Sequence, residues 1–151
     1  MEIKLDDLTD KRSIALVNLH LASMAENTPH ESMHALDVSG LRQKNITFFS
    51  VWENDDIMGC GALKELCSLH GEVKCMRTAD KHLKKGIARA MLQHVINESK
   101  LRGYQHLSLE TGSSDAFLPA RRLYESFGFT YCEPFDQYVE DPNSRFMTLQ
   151  L

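Results

Sequence analysis

The sequence predicts an α/β protein built on one mixed sheet, and three observations lead there. Segments rich in β-branched and aromatic residues alternate with stretches of helical apolar spacing, in the order β-α-α-β-β-β-α-β-α-β-β, about seven strands and four helices. Within that order, residues 71–111 read as a strand-helix-strand unit. "ENDD", residues 53–56, separates two β-rich runs as a hairpin turn does. A chain of 151 residues suits a single domain, residues 1–151, with a sizeable core.

Taken in order, "MEIKL" reads as a short first strand. Residues 10–27 follow as a helix with Ile14, Val17, Leu21 and Met24 on one stripe, and Thr9 or Asp10 as its cap. "ESMHALDVSGL", residues 31–41, reads as a second, short helix with Gly40 near its end. The "ENDD" hairpin comes next, then a strand over 71–78. The third helix turns Ala88, Met91, Leu92, Val95 and Ile96 to one face. It closes on Lys100, Arg102 and Gly103, where cations and a glycine suit a helix C-terminus. Residues 106–111 form a strand with Leu107 and Leu109 facing one way. "PARRLYESFGF" is a helix closed by Gly128, and the tail holds two strands around a polar loop.

Composition narrows the function. A formal charge of −4 at pH 7 argues against a general nucleic-acid binder, which needs a basic face. No apolar run reaches membrane-spanning length, and the polar amino terminus lacks the apolar core of a signal peptide. Cys60, Cys67, Cys75 and Cys132 form no CxxC pair, which fits reduced thiols in a cytoplasmic protein. The histidines show no ligand spacing, so no metal site is expected.

The stretch "DKHLKKGIARAML", residues 80–92, places Lys84, Lys85 and Gly86 at the mouth of a helix directly after a strand. A helix N-terminus offers unpaired N–H groups and partial positive charge, a natural seat for phosphate. Gly86 permits close approach to the backbone, and Ala88 is small. Neither a Walker A loop nor GxGxxG is present. In its context the segment resembles the acyl-CoA-binding signature of the GNAT family of N-acetyltransferases, R/Q-x-x-G-x-G/A. Leu83, Lys84, Lys85, Gly86, Ile87 and Ala88 occupy its six positions and Arg89 follows, with Leu83 where Arg or Gln is usual. A second element, "ARRLYESFGF", is similar to the family's A-x-x-L-Y-x-x-x-G-F, matching at Ala120, Leu123, Tyr124, Gly128 and Phe129. Phe117 stands where many members carry a cofactor-contacting Asn. "HALD", "GCGALKEL" and "EVKCMRT" look most like a bacterial subgroup of small acetyltransferases.

The resemblance implies a mostly antiparallel sheet with splayed central strands, and acetyl-CoA as the acyl donor to an amine of a small molecule or peptide. A non-catalytic acyl-CoA sensor is the alternative. It implies that the cofactor's pantetheine arm lies between strands 71–78 and 106–111, against backbone groups of Met76 and Thr78. Tyr124 is the expected proton donor to the leaving thiolate. Glu72 is the expected general base, or else the partner of Lys74, and Glu110 is the runner-up. By alternation Glu72 shares a face with Lys74, Met76 and Thr78. Glu31 and His34 are candidates for the acceptor pocket. Lys64, Lys74 and Arg77 form a cationic group on adjacent strands, either paired with Glu65 and Glu72 or meeting a carboxylate on a small acceptor. Family members often dimerise, so a homodimer fits the resemblance.

Overall fold

A computed structural model describes residues 1–151. The elements are β1 (Glu2–Leu5), α1 (Lys11–Asn27), α2 (Val38–Leu41), β2 (Ile46–Glu53), β3 (Asp56–Cys67), β4 (His70–Thr78), α3 (Ile87–Leu101), β5 (His106–Gly112), α4 (Leu118–Ser126), β6 (Thr130–Tyr131) and β7 (Ser144–Gln150). They form one 7-stranded sheet in the order β1-β2-β3-β4-β5-β7-β6. Every neighbouring pair is antiparallel except β4 and β5. The expected order of strands and helices is therefore the observed one, and the sheet is mostly antiparallel.

Local chemistry sets the boundaries. Asn54 and Asp55 both take positive φ, 50° and 65°, as a two-residue hairpin between β2 and β3 requires. Asp10, not Thr9, caps α1 by accepting from the Arg12 N–H at 2.9 Å. The short second helix is smaller than its sequence suggests. Residues 30–32 make a single 3₁₀ turn, and the α-helix begins only at Val38. Asp37 is the cause: its carboxylate takes the Gly40 N–H at 2.8 Å, a cap that starts a helix where a continuous one would need helical backbone at Asp37.

Two apolar clusters sandwich the sheet. On one face, Met91, Leu92, Val95 and Ile96 of α3 pack with Val73, Leu107, Leu109 and Met147. On the other, Leu16 and Val17 of α1 meet Leu8, Leu41, Phe48, Cys60 and Ala62. The expected α1 stripe is rotated. Its buried residues are Ser13, Leu16, Val17 and His20, while Ile14, Leu21 and Met24 are only half-buried. Ser13 tolerates burial because its hydroxyl donates to Asp6 at 2.6 Å. Ala88, placed on the α3 core face by its spacing, is half-buried beside a cavity instead.

Two irregularities shape the middle of the sheet. The parallel β4–β5 ladder lasts only three pairs, His70↔His106, Gly71↔Leu107 and Glu72↔Ser108, and then the strands part. Near that point β4 carries a bulge against β3: the register runs from Ala62↔Lys74 to Cys60↔Arg77, leaving Cys75 and Met76 without partners. Cys75 sits at φ 54°. Beyond the bulge, side chains change faces. Cys75 packs with the α1-side cluster and Met76 with the α3-side cluster. Met76 therefore does not share the face of Glu72 and Lys74, as unbroken alternation would have it. Arg77 takes that face instead, reaching His20 of α1.

Gly112, the last residue of β5, gives way to the Phe117 ring. A Cβ there would lie 2.1 Å from Phe117 Cδ2. Gly112→Ala should thus force the ring or the strand end to move and cost about 1–3 kcal/mol. Thermal denaturation should show the melting temperature falling by several degrees; an unchanged value would mean the ring repacks freely.

Candidate active site

Where β4 and β5 diverge, they open a cavity of about 380 Å³. It is lined from four directions: β4 from Glu72 to Thr78, Glu110 and Thr111 of β5, the Phe117–Tyr124 segment, and the carboxyl half of α1 with His34. Leu83 and Ala88 stand at the side nearest α3. The cavity thus gathers most of the residues singled out from the sequence, although they come from segments up to 90 positions apart, His34 to Tyr124.

The loop before α3 is built for an anion. Gly86 is the N-cap of α3 at φ 81°, and Lys84 is also left-handed at φ 62°. The first bond of the helix ladder is Ala90 N–H to Gly86 C=O at 3.0 Å. The six preceding amides, Lys84 to Arg89, donate to no backbone or side-chain acceptor in the chain. Nothing lies within 4 Å of the position a Gly86 Cβ would take. Six consecutive free donors, partial positive charge from the helix and an open cradle fit a diphosphate. The lysines stay exposed, with Lys85 Nζ 3.1 Å from His82 Nδ1. Arg89 turns toward α4, donating to Ser126 Oγ at 3.1 Å and lying 4.9 Å over the Phe127 ring.

Tyr124 is the one fully buried residue of α4, 6% exposed, and belongs to the α3-side core. Leu123 and Phe127 beside it are only half-buried. The Tyr124 hydroxyl makes no hydrogen bond within the chain, and the residue lines the cavity. Burial, helped by the charge of Glu110, pushes its phenol well above the usual range. It therefore stays protonated at any physiological pH.

The two candidate carboxylates have different surroundings. Glu72 is 1% exposed. Its Oε2 accepts from the Tyr138 hydroxyl and lies 3.3 Å from Lys74 Nζ. Its Oε1 is buried without a partner. Lys74 also donates to Tyr138 at 3.1 Å and to the His34 carbonyl at 3.5 Å, and the His34 ring packs edge-on against Tyr138 at 5.1 Å. Glu110, across the gap, accepts from Ser144 Oγ at 2.9 Å. Burial raises its pKa above the ordinary carboxylate value, against the lowering effect of that hydrogen bond.

Not every expected residue reaches the cavity. Glu31 lies exposed on the 3₁₀ turn and does not line it, and Lys64 stands outside it on β3. Glu65 is bound elsewhere, accepting from the Tyr104 hydroxyl at 2.6 Å. Three residues that matter escaped the sequence: Tyr138, His20 and Ser144. Tyr138 lies in the loop before β7, 66 positions from the Glu72 it caps, and nothing local marks it.

A family model described as Acetyltransferase (GNAT) family matches residues 13–129. The Bacillus subtilis protein named uncharacterized N-acetyltransferase YsnE is 60% identical over 151 residues, covering 100% of both chains. The Escherichia coli protein named uncharacterized N-acetyltransferase YedL is 47% identical over 149 residues, 99% of this chain and 94% of its own. Among solved structures, a GNAT family acetyltransferase from Elizabethkingia anophelis with acetyl-CoA bound superposes with a TM-score of 0.74 at 19% identity. That alignment covers 99% of this chain and 97% of that one. With the family model spanning most of the chain and relatives aligned almost end to end, the chain belongs to the GNAT acetyltransferase family.

Proposed function

We propose that this protein is an N-acetyltransferase that moves an acetyl group from acetyl-CoA to the amine of a small molecule or peptide. The observation that carries the reading is the run of free amides from Lys84 to Arg89, opening beside the gap between β4 and β5. The amides suit the diphosphate of a CoA thioester, and the gap suits its pantetheine arm. The unpaired β4 edge, with Met76 and Thr78 among its residues, offers that arm backbone partners. Relatives named N-acetyltransferase and a fold neighbour holding acetyl-CoA support the same reading.

The donor supplies an activated acyl carbon; the chain supplies position and proton management. Nitrogen attacks the thioester carbonyl carbon, the N–C bond forms, and the C–S bond breaks. The unpartnered bulge residues Cys75 and Met76 lie where a backbone N–H can stabilise negative charge on the carbonyl oxygen. Tyr124, protonated and without a partner inside the chain, gives its proton to the leaving thiolate and regains one from the nitrogen, which sheds its extra proton as the amide forms.

An ammonium must lose a proton before it can attack. Glu110 is our choice of acceptor for that proton. It borders the cavity, and its raised pKa makes it a stronger base than an ordinary carboxylate. Glu72 is less available, because Tyr138 and Lys74 both bind its Oε2. Its role in this reading is to fix Tyr138 as a cover over the acceptor side, with His34 beside it.

Three variants test these roles. Tyr124→Phe should lower turnover about 10²–10⁴-fold, the usual contribution of a positioned acid, while acetyl-CoA still binds; full turnover would remove Tyr124 from the chemistry. Gly86→Glu should abolish acetyl-CoA binding by titration calorimetry, since it puts a side chain at φ 81° and an anion into the cradle. Unchanged affinity would place the phosphates elsewhere. Activity should rise with pH as Glu110 loses its proton, on a limb above the ordinary carboxylate pKa because burial raises this one. Glu110→Gln should lower turnover and erase that limb; a pH profile identical to wild type would exclude Glu110 as the base.

A further inference from the structure

Arg77 is the charged group of the cavity that the chemistry above does not use. It projects from β4 just past the bulge, on the face turned toward α1, and it is half-buried. Its Nε donates to His20 Nδ1 at 2.9 Å. No carboxylate of the chain pairs with it, and its two terminal nitrogens make no hydrogen bond. The other cation of this cavity is satisfied, since Lys74 is bound to Glu72, Tyr138 and the His34 carbonyl.

His20 explains why the guanidinium stays uncompensated. It is 7% exposed on α1. Burial first, and the Arg77 charge second, lower its pKa to about 4, so the ring is neutral. A neutral imidazole that accepts at Nδ1 orients the guanidinium without cancelling its charge. The edge left free is the planar pair of terminal N–H groups that matches a carboxylate in bidentate fashion. A half-buried cation with no counter-ion is costly unless something anionic meets it. Across the β4–β5 gap stands the carboxylate of Glu110, on the side suited to an amine.

Resting on the acetyl-transfer reading above, we infer that Arg77, oriented by His20, binds a carboxylate of the acceptor, so that the acceptor is an amino-acid-like molecule bearing both an amine and an acid. Polyamines and other amine acceptors without an acid group would leave Arg77 unpaired and should be poor substrates. The anion that competes for this role is the donor's own phosphate, and the test separates the two.

Thiol release should be followed with acetyl-CoA and a panel of free amino acids, each paired with its carboxamide. The acids of the productive pairs should exceed their amides about ten- to hundredfold in kcat/KM, the range of a charge-assisted hydrogen-bonded pair. Arg77→Gln should erase that preference by raising KM for the acids, and leave acetyl-CoA affinity by calorimetry unchanged, which also reports that the variant is folded. Arg77→Lys should keep part of the preference. His20→Phe, which removes the acceptor that aims the guanidinium, should raise KM for the acids more than it lowers kcat. Amides as good as acids would overturn the inference and leave acetyl transfer standing. Weakened acetyl-CoA binding in Arg77→Gln with the acid preference intact would assign Arg77 to the donor's phosphates instead. No thiol release from these acceptors, from polyamines or from peptide amines would take down the transfer reading, and this inference with it.

Discussion

The site exists because two neighbouring strands stop bonding to each other. β4 and β5 run parallel for three pairs and then separate, while β4 stays bonded to β3 and β5 to β7. A sheet interior is normally the place where backbone donors and acceptors are consumed. Here one edge of β4 and one edge of β5 are left open in the middle of the molecule, a free template for an extended ligand. The bulge at Cys75 bends and twists β4 close to where the strands part. The apolar clusters on both faces hold the sheet together around the split, so the opening does not close by collapse.

Charge is distributed around this opening with the same economy. Lys74 lies beside Glu72, and that pair is also bonded to Tyr138, so one carboxylate and one cation are tied down as part of the scaffold. Glu110 and Arg77 are left. One is a carboxylate whose proton is held more tightly because of burial; the other is a guanidinium aimed by a neutral ring. The partition follows from geometry. A pair on one face of one strand two residues apart finds itself, whereas residues on opposite sides of the gap cannot reach across and stay available to a ligand.

Local order was largely readable from residue type. Turn chemistry at Asn54–Asp55, apolar spacing along α3 and the glycine before it all act within a few residues, and the element order followed from them. The failures have a common physical cause, interactions that cross the chain. Strict alternation put Met76 beside Glu72, but one inserted residue in β4 reversed the faces beyond Lys74. The α1 stripe was displaced because Ser13 and His20 are buried through bonds to Asp6 and Arg77, which hydrophobicity does not count. Tyr138 was invisible because its meaning lies in Glu72, far away in sequence. The resemblance through residues 83–88 and 120–129 supplied what spacing could not, the identity of the anion expected at Gly86.

Two residues without the freedom of glycine adopt left-handed backbone at the edge of this cavity, Cys75 at φ 54° and Lys84 at φ 62°. Each conformation costs roughly 1–2 kcal/mol for a residue with a Cβ. Neither offers the small polar side chain with which Asn or Asp softens that cost in turns. The cost is tolerated because the surroundings over-determine it. Cys75 is held by the β3 ladder on either side of the bulge, and Lys84 by the 3₁₀ turn at Asp80–His82 before it and the anchored Ile87, 2% exposed, after it. The result is a break in the β3 register at the bulge and, along residues 84–89, six backbone amides without partners. Strain spent to keep donors free makes no sense for stability alone. It is what a protein needs if its task is to grip a ligand through its main chain, where no side-chain substitution such as Leu83 for Arg can take the grip away.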